Sequence, residues 1–208
     1  MSVSWVRPLA CLCALSAFIA CASNQQYASS SAAGTVDLAA YPVPPLGARE
    51  LQLLHQMSDA NILGHIELVD SLEIAVSDTV LRLTRSDPIS NFAKMMIANH
   101  STNLDQNRRI AKANNILPTT SFGELNAMHV APAIDSIRIA SDLTVDRRYV
   151  MTQIALHQHV LAELQELQNV AQTTAVRDQI AATIPIVRDH LSRAHAIAID
   201  MGLEKKRG

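Results

Sequence analysis

Cysteine is missing from almost the whole chain: all three, Cys11, Cys13 and Cys21, fall near the start of its 208 residues. A domain lying beyond them has no disulfide and no thiolate with which to hold a metal or attack a substrate. Aromatic residues make up only 3% of the chain and the single tryptophan is Trp5, so stacking platforms for nucleic acid are lacking. The formal net charge of -2 comes from mixed acidic and basic residues with no basic face, which removes the electrostatic footprint as well. Neither a Gly-rich phosphate loop nor a Ser-His-Asp arrangement is found. Chemistry in this protein therefore falls to histidines, carboxylates and hydroxyls.

What is there begins with an address. Arg7 precedes the apolar run "LACLCALSAFIAC", which is too short to span a bilayer and has the flanks of a secretory signal. "FIAC" resembles a bacterial lipobox with Cys21 as the lipidated residue, although Phe18 stands where leucine is usual. "ACA" (Ala20 to Ala22) also fits ordinary small-residue cleavage. Residues 1–21 are thus expected to be the signal, and residues 22–47, rich in Ser, Ala, Gln and Pro and ending in "YPVPPLG", a flexible tether. Residues 48–203 are of single-domain length, and 204–208 ("EKKRG") form a basic tail suited to the negative end of a last helix. The expected location is the periplasmic side of a bacterial envelope. Lipidated Cys21 would reach the outer membrane, because no aspartate follows it to signal retention.

The domain reads as all-α. The spacing predicts helix A from Ser58 to Thr84 after a possible turn through "RELQLLHQM", and helix B from "SDP" (Ser86 to Pro88) to before Pro118. It predicts helix C from Leu143 to Ala171 and helix D from Val176 to Met201, ending at Gly202. Short A-B and C-D links with one long B-C connection, Pro118 to Ser141, describe a ferritin-like four-helix bundle in which that connection crosses the bundle's length.

Each helix carries one metal-ligand-type residue in an otherwise mostly apolar seam. In A, Ile62, Ile66, Val69, Val76, Val80 and Leu83 recur at steps of three and four, and Glu73 completes the series. The seams of B, C and D place His100, His157 and His190 likewise. At about 1.5 Å per residue, Glu73 and His100 both lie some 17 Å from the A-B link, and the other two histidines fall near mid-helix. A buried carboxylate needs a partner, and the expectation is that Glu73 faces the histidines. Asp70 and Ser77, one turn either side of Glu73, and Asp146 and Tyr149 at the start of C are candidates for a supporting shell. His55, His65, His129, His159 and His195 lie off the seams and are expected at the surface or rim.

"SDANIL", Glu73-Ile74, "DPISNFAKMMIANH", "DRRYVMTQIALHQHV" and "IPIVRDHLSRAHAI" resemble the bacterial envelope proteins grouped as the domain-of-unknown-function family 4142, regarded as ferritin-like. The resemblance runs from Ser58 to Met201. Glu73, His100, Asp146, Tyr149, His157 and His190 match its pattern. Asn99 and Val145 depart from it, the family typically having Asp-His in helix B and Phe-Asp at the start of helix C. The resemblance implies fold and location; the family's name states no activity.

Three imidazoles and one carboxylate suit a single Zn, Fe, Mn or Cu ion. A ferritin-type di-iron centre needs Glu-x-x-His on two helices, and no histidine here has an acidic residue three positions before it. Two functions stay open from sequence: a metal-binding envelope protein, or a metal-free structural or interaction module whose core polar network fixes helix register.

Overall fold

The computed structural model describes residues 34–120 and 144–207, with Asp135 and Ile137 between them. Regular structure among the described residues is helical throughout: a 3-10 turn (Leu38–Ala40) and helices α1 (Ala48–Leu54), α2 (Asp59–Leu83), α3 (Asp87–Ala113), α4 (Val145–Val170) and α5 (Thr174–Asp200).

Local chemistry sets most of these boundaries. Ser58 Oγ accepts the Asn61 N–H, and Asn61 Oδ1 accepts the Ser58 N–H, a reciprocal cap that starts α2. Pro88 stands in the first turn of α3, where its missing N–H costs nothing. Thr173 caps α5 through the Val176 N–H, so this helix starts two residues before the expected Val176. At its far end the Leu203 N–H bonds to the Ala198 carbonyl and the Gly202 N–H to that of Ile199, with Gly202 at φ 68°. That is a Schellman closure, which needs a left-handed residue at this point.

The helices pair as two antiparallel hairpins, α2 with α3 and α4 with α5, each joined by three residues. The Asp59 carboxylate at the start of α2 accepts the Gln172 and Thr173 N–H groups in the α4–α5 link, at 2.7 and 2.9 Å. Late in α2, Ser77 meets Tyr149 of early α4, so α2 and α4 are antiparallel. The Thr119 N–H bonds to the Ala60 carbonyl, which places the exit of α3 at the start of α2. It follows that α3 ends and α4 begins at opposite ends of the bundle and that the two run parallel. The expected crossing must join those ends; its residues 121–141 lie largely outside the described ones.

Gly64 has a steric reason. A Cβ there would stand 2.2 Å from the Thr119 carbonyl oxygen, so only glycine lets this strap lie against α2. The core between the hairpins holds fully buried Ile62, Leu63, Met96, Tyr149, Leu167 and Ile180.

One expectation about the flanks needs correction. The expected tether does not stand clear of the bundle from Val36 onward: Ser192 Oγ donates to the Val36 carbonyl and accepts its N–H, and Tyr41 is buried against the His195 ring. The tail likewise packs back. Glu204 Oε2 lies 2.6 Å from His195 Nδ1, and the Arg207 guanidinium sits over Tyr41. Residues 1–33, with the expected signal and Cys21, lie outside the described residues. No helix among the described residues is long and apolar enough to cross a membrane.

Candidate metal centre

His100 of α3, His157 of α4 and His190 of α5 are all buried, and each offers a ring nitrogen within 4.8 Å of the others'. Three helices converge here because each histidine interrupts an apolar seam at the same depth. His157 Nε2 lies 3.2 Å from His190 Nδ1. Two nitrogens each about 2.0–2.1 Å from one tetrahedral ion lie about 3.3 Å apart, so this spacing suits coligands as well as a hydrogen bond.

The surrounding bonds fix which nitrogen is bare. The Gln153 carbonyl, 3.0 Å from His157 Nδ1, can only accept, so Nδ1 carries the proton and Nε2 presents a lone pair. His100 Nδ1 lies 2.8 Å from Asp70 Oδ1, the carboxylate–histidine pairing that orients metal ligands. Its Nε2 is buried with no hydrogen-bond partner among the described residues. Burial pushes His157 down to about 3, helped by charge on His100, and holds His190 well below the usual imidazole range. Both are therefore neutral at ordinary pH, the form that binds a metal.

Glu73 requires the main correction. It is buried, but its Oε2 accepts from Gln153 Nε2 at 2.8 Å, and the carboxylate against a histidine is that of Asp70. Burial raises the pKa of both acids, and the charge on His100 opposes the shift in each. Ser77 and Tyr149 form a buried 2.7 Å pair one turn from Glu73. Burial, with Glu73 nearby, holds the Tyr149 phenol well above its usual value. Asp146 stands in the first turn of α4.

A polar chain extends the site in a direction the seam reading missed. Asn103 Nδ2 donates to Asp70 Oδ2, while its Oδ1 accepts from Gln179 and Thr183. Met96, His100, Asn103, Asn107 and Ala111 recur at steps of three and four and are all buried, so the two asparagines share the stripe of His100.

A second group was not expected at all. His65 and His195 are buried rather than superficial. His159 Nε2 lies 2.7 Å from Glu50 Oε1 and 3.3 Å from Glu163 Oε1, and His65 Nε2 lies 3.2 Å from Glu163 Oε2. A cavity of about 30 Å³, roughly one water, touches both groups, with His65, Glu163, Asp70 and His100 in its wall. His55 is exposed, as expected, and His129 lies outside the described residues.

A family model described as "Domain of unknown function (DUF4142)" matches residues 46–197, from just before α1 to near the end of α5. The chain belongs to the DUF4142 family. No curated protein and no solved structure matches it. At Asn99, the first of the two departures from the expected pattern, Nδ2 lies 2.9 Å from His190 Nε2. The departure therefore falls on a residue that touches the site: an asparagine orients His190 without adding charge. Val145, the other departure, is buried in the apolar core.

Proposed function

We propose that this DUF4142 protein is exported, held at an envelope membrane by lipid on Cys21, and binds one transition-metal ion through His100, His157 and His190. The observation that carries the metal reading is the convergence of three buried imidazoles with one ring nitrogen, His100 Nε2, left without a partner. Three imidazole nitrogens suit Zn, Cu or Fe. Asp70 and Glu73 would offset the ion's charge from outside its ligand shell, so Glu73 acts here as a charge neighbour and not as a ligand.

One observation favours the metal-free alternative. Asn99, His190, His157 and the Gln153 carbonyl form a continuous hydrogen-bonded series that occupies both ring nitrogens of two histidines without an ion. Elemental analysis separates the two readings. Protein purified without an affinity tag should retain an ion that His157→Ala and His190→Ala lose, and Zn²⁺ should raise the melting temperature of stripped wild type but not of the variants. Equal behaviour of wild type and variants would leave the polar network as the function of these residues. For the anchor, Cys21→Ser should release a folded domain from the membrane fraction; mature wild type beginning at Ser23 without lipid would refute it.

A further inference from the structure

The second group was absent from the sequence expectations and is built differently from the first. Glu50 comes from α1, while His159 and Glu163, four residues apart, share one face of α4. Both carboxylates are anchored by their far oxygens: Glu50 Oε2 accepts the Gly47 N–H at 3.1 Å, and Glu163 Oε2 lies against His65 Nε2. Their near oxygens converge on the single atom His159 Nε2, at 2.7 and 3.3 Å. One Nε2–H can point at only one of them. A cation in place of that proton would meet all three donors at once. Donors about 2.1 Å from one ion, at angles of about 90–109°, lie roughly 3.0–3.4 Å apart, close to the spacing observed.

Charge and exposure agree with this. Glu50 and Glu163 are buried, and two carboxylates match the charge of a divalent ion, which the neutral histidine set cannot do from its own ligands. The His159 side chain keeps 16% of its surface exposed, giving the group an opening to solvent and room for water ligands. We propose that Glu50, His159 and Glu163 form a second divalent-cation site between α1 and α4, with His65 as a positioning residue for Glu163. Its oxygen-rich donors favour Mn²⁺ or Fe²⁺ more than three imidazoles do.

The test uses Mn²⁺ as probe on the full chain, stripped of metal and purified without a tag, with free Mn²⁺ followed by its electron paramagnetic resonance signal. Wild type should bind one Mn²⁺ saturably at this site. Glu50→Gln and Glu163→Gln should weaken that binding at least about tenfold, and His65→Gln by about ten- to a hundredfold through loss of orientation. His157→Ala should leave it unchanged, so failure of this site and failure of the three-histidine site are read separately. Far-UV circular dichroism checks folding, and Glu50→Asp, which keeps the charge but shortens the ligand, replaces any variant that does not fold. Unaltered Mn²⁺ binding in both glutamine variants, loss of Mn²⁺ only with His157→Ala, or no saturable binding below about 1 mM would overturn the proposal.

Discussion

The two histidine groups lie within one bundle and border one small cavity, yet their surroundings act on them in opposite directions. Around His157 and His190 the neighbours are carbonyl, amide and other imidazoles, so burial dominates and both rings are driven neutral. Around His159 two carboxylates outweigh burial and raise its pKa, while Glu163 is lowered to about 2 by His65 and His159 despite its own burial. The identity of the nearest partner decides the charge of a buried histidine more than depth does. One group is built on rings driven neutral; the other is a set of matched charges.

The largest expected effect tests that contrast through loss of one ring. His100→Leu leaves the buried Asp70 carboxylate only the Asn103 amide as partner and should cost about 3–5 kcal/mol in chemical denaturation. His159→Leu leaves Glu163 its contact with His65 and Glu50 its bond from the Gly47 N–H, and should cost only roughly 1–2 kcal/mol. A reversed order would break the comparison.

Acid titration of metal-stripped protein comes next. His157 is held far below its unfolded value, so the unfolded chain takes up protons that the native state refuses. Stability should therefore fall from about pH 6.5 towards pH 3, by up to about 1.4 kcal/mol per pH unit for this ring. His157→Ala should flatten that stretch. Glu163 is ionised in the native state down to about 2, so its contribution is complete above about pH 4.5 and is lost only below that. His159 has the opposite sign: its contribution is complete below about pH 6.5 and fades as pH rises through its raised value. Glu163→Gln should accordingly lower stability by a constant amount between about pH 4.5 and 6.5 and change the slope of the curve only outside that window. Identical profiles for the two variants would show that the groups are not electrostatically distinct.

The smallest effect concerns Glu73. Glu73→Gln should cost under about 1 kcal/mol, because an amide oxygen still accepts from Gln153, whereas Glu73→Leu should cost about 1–3 kcal/mol by stranding that donor. Equal costs in equilibrium unfolding would mean that the bond to Gln153 contributes nothing.

Much of the frame was legible beforehand, because caps and breakers act locally: Ser58 with Asn61, Pro88 and Gly202 mark helix ends through their own backbones. The three histidines were legible because an apolar stripe fixes a helix face. A stripe cannot resolve neighbours on that face, and Asp70, one turn from Glu73, is the acid that reaches His100. His65, His159 and Glu163 were hidden for another reason. They look like ordinary flank residues until α1, only seven residues long, brings Glu50 against α4. That docking is a tertiary event with no periodic signature.

The two three-residue helix links bear on the order of folding. Each hairpin is made of contacts close in sequence and can form early, whereas docking one on the other must close the loop between Ala113 and Val145 and comes late. His100 belongs to one hairpin, His157 and His190 to the other, so the three histidines come together only after docking. An ion held there would work as a latch on the finished bundle: it would slow unfolding far more than it sped folding, and its departure would loosen the seam between hairpins before either hairpin melted.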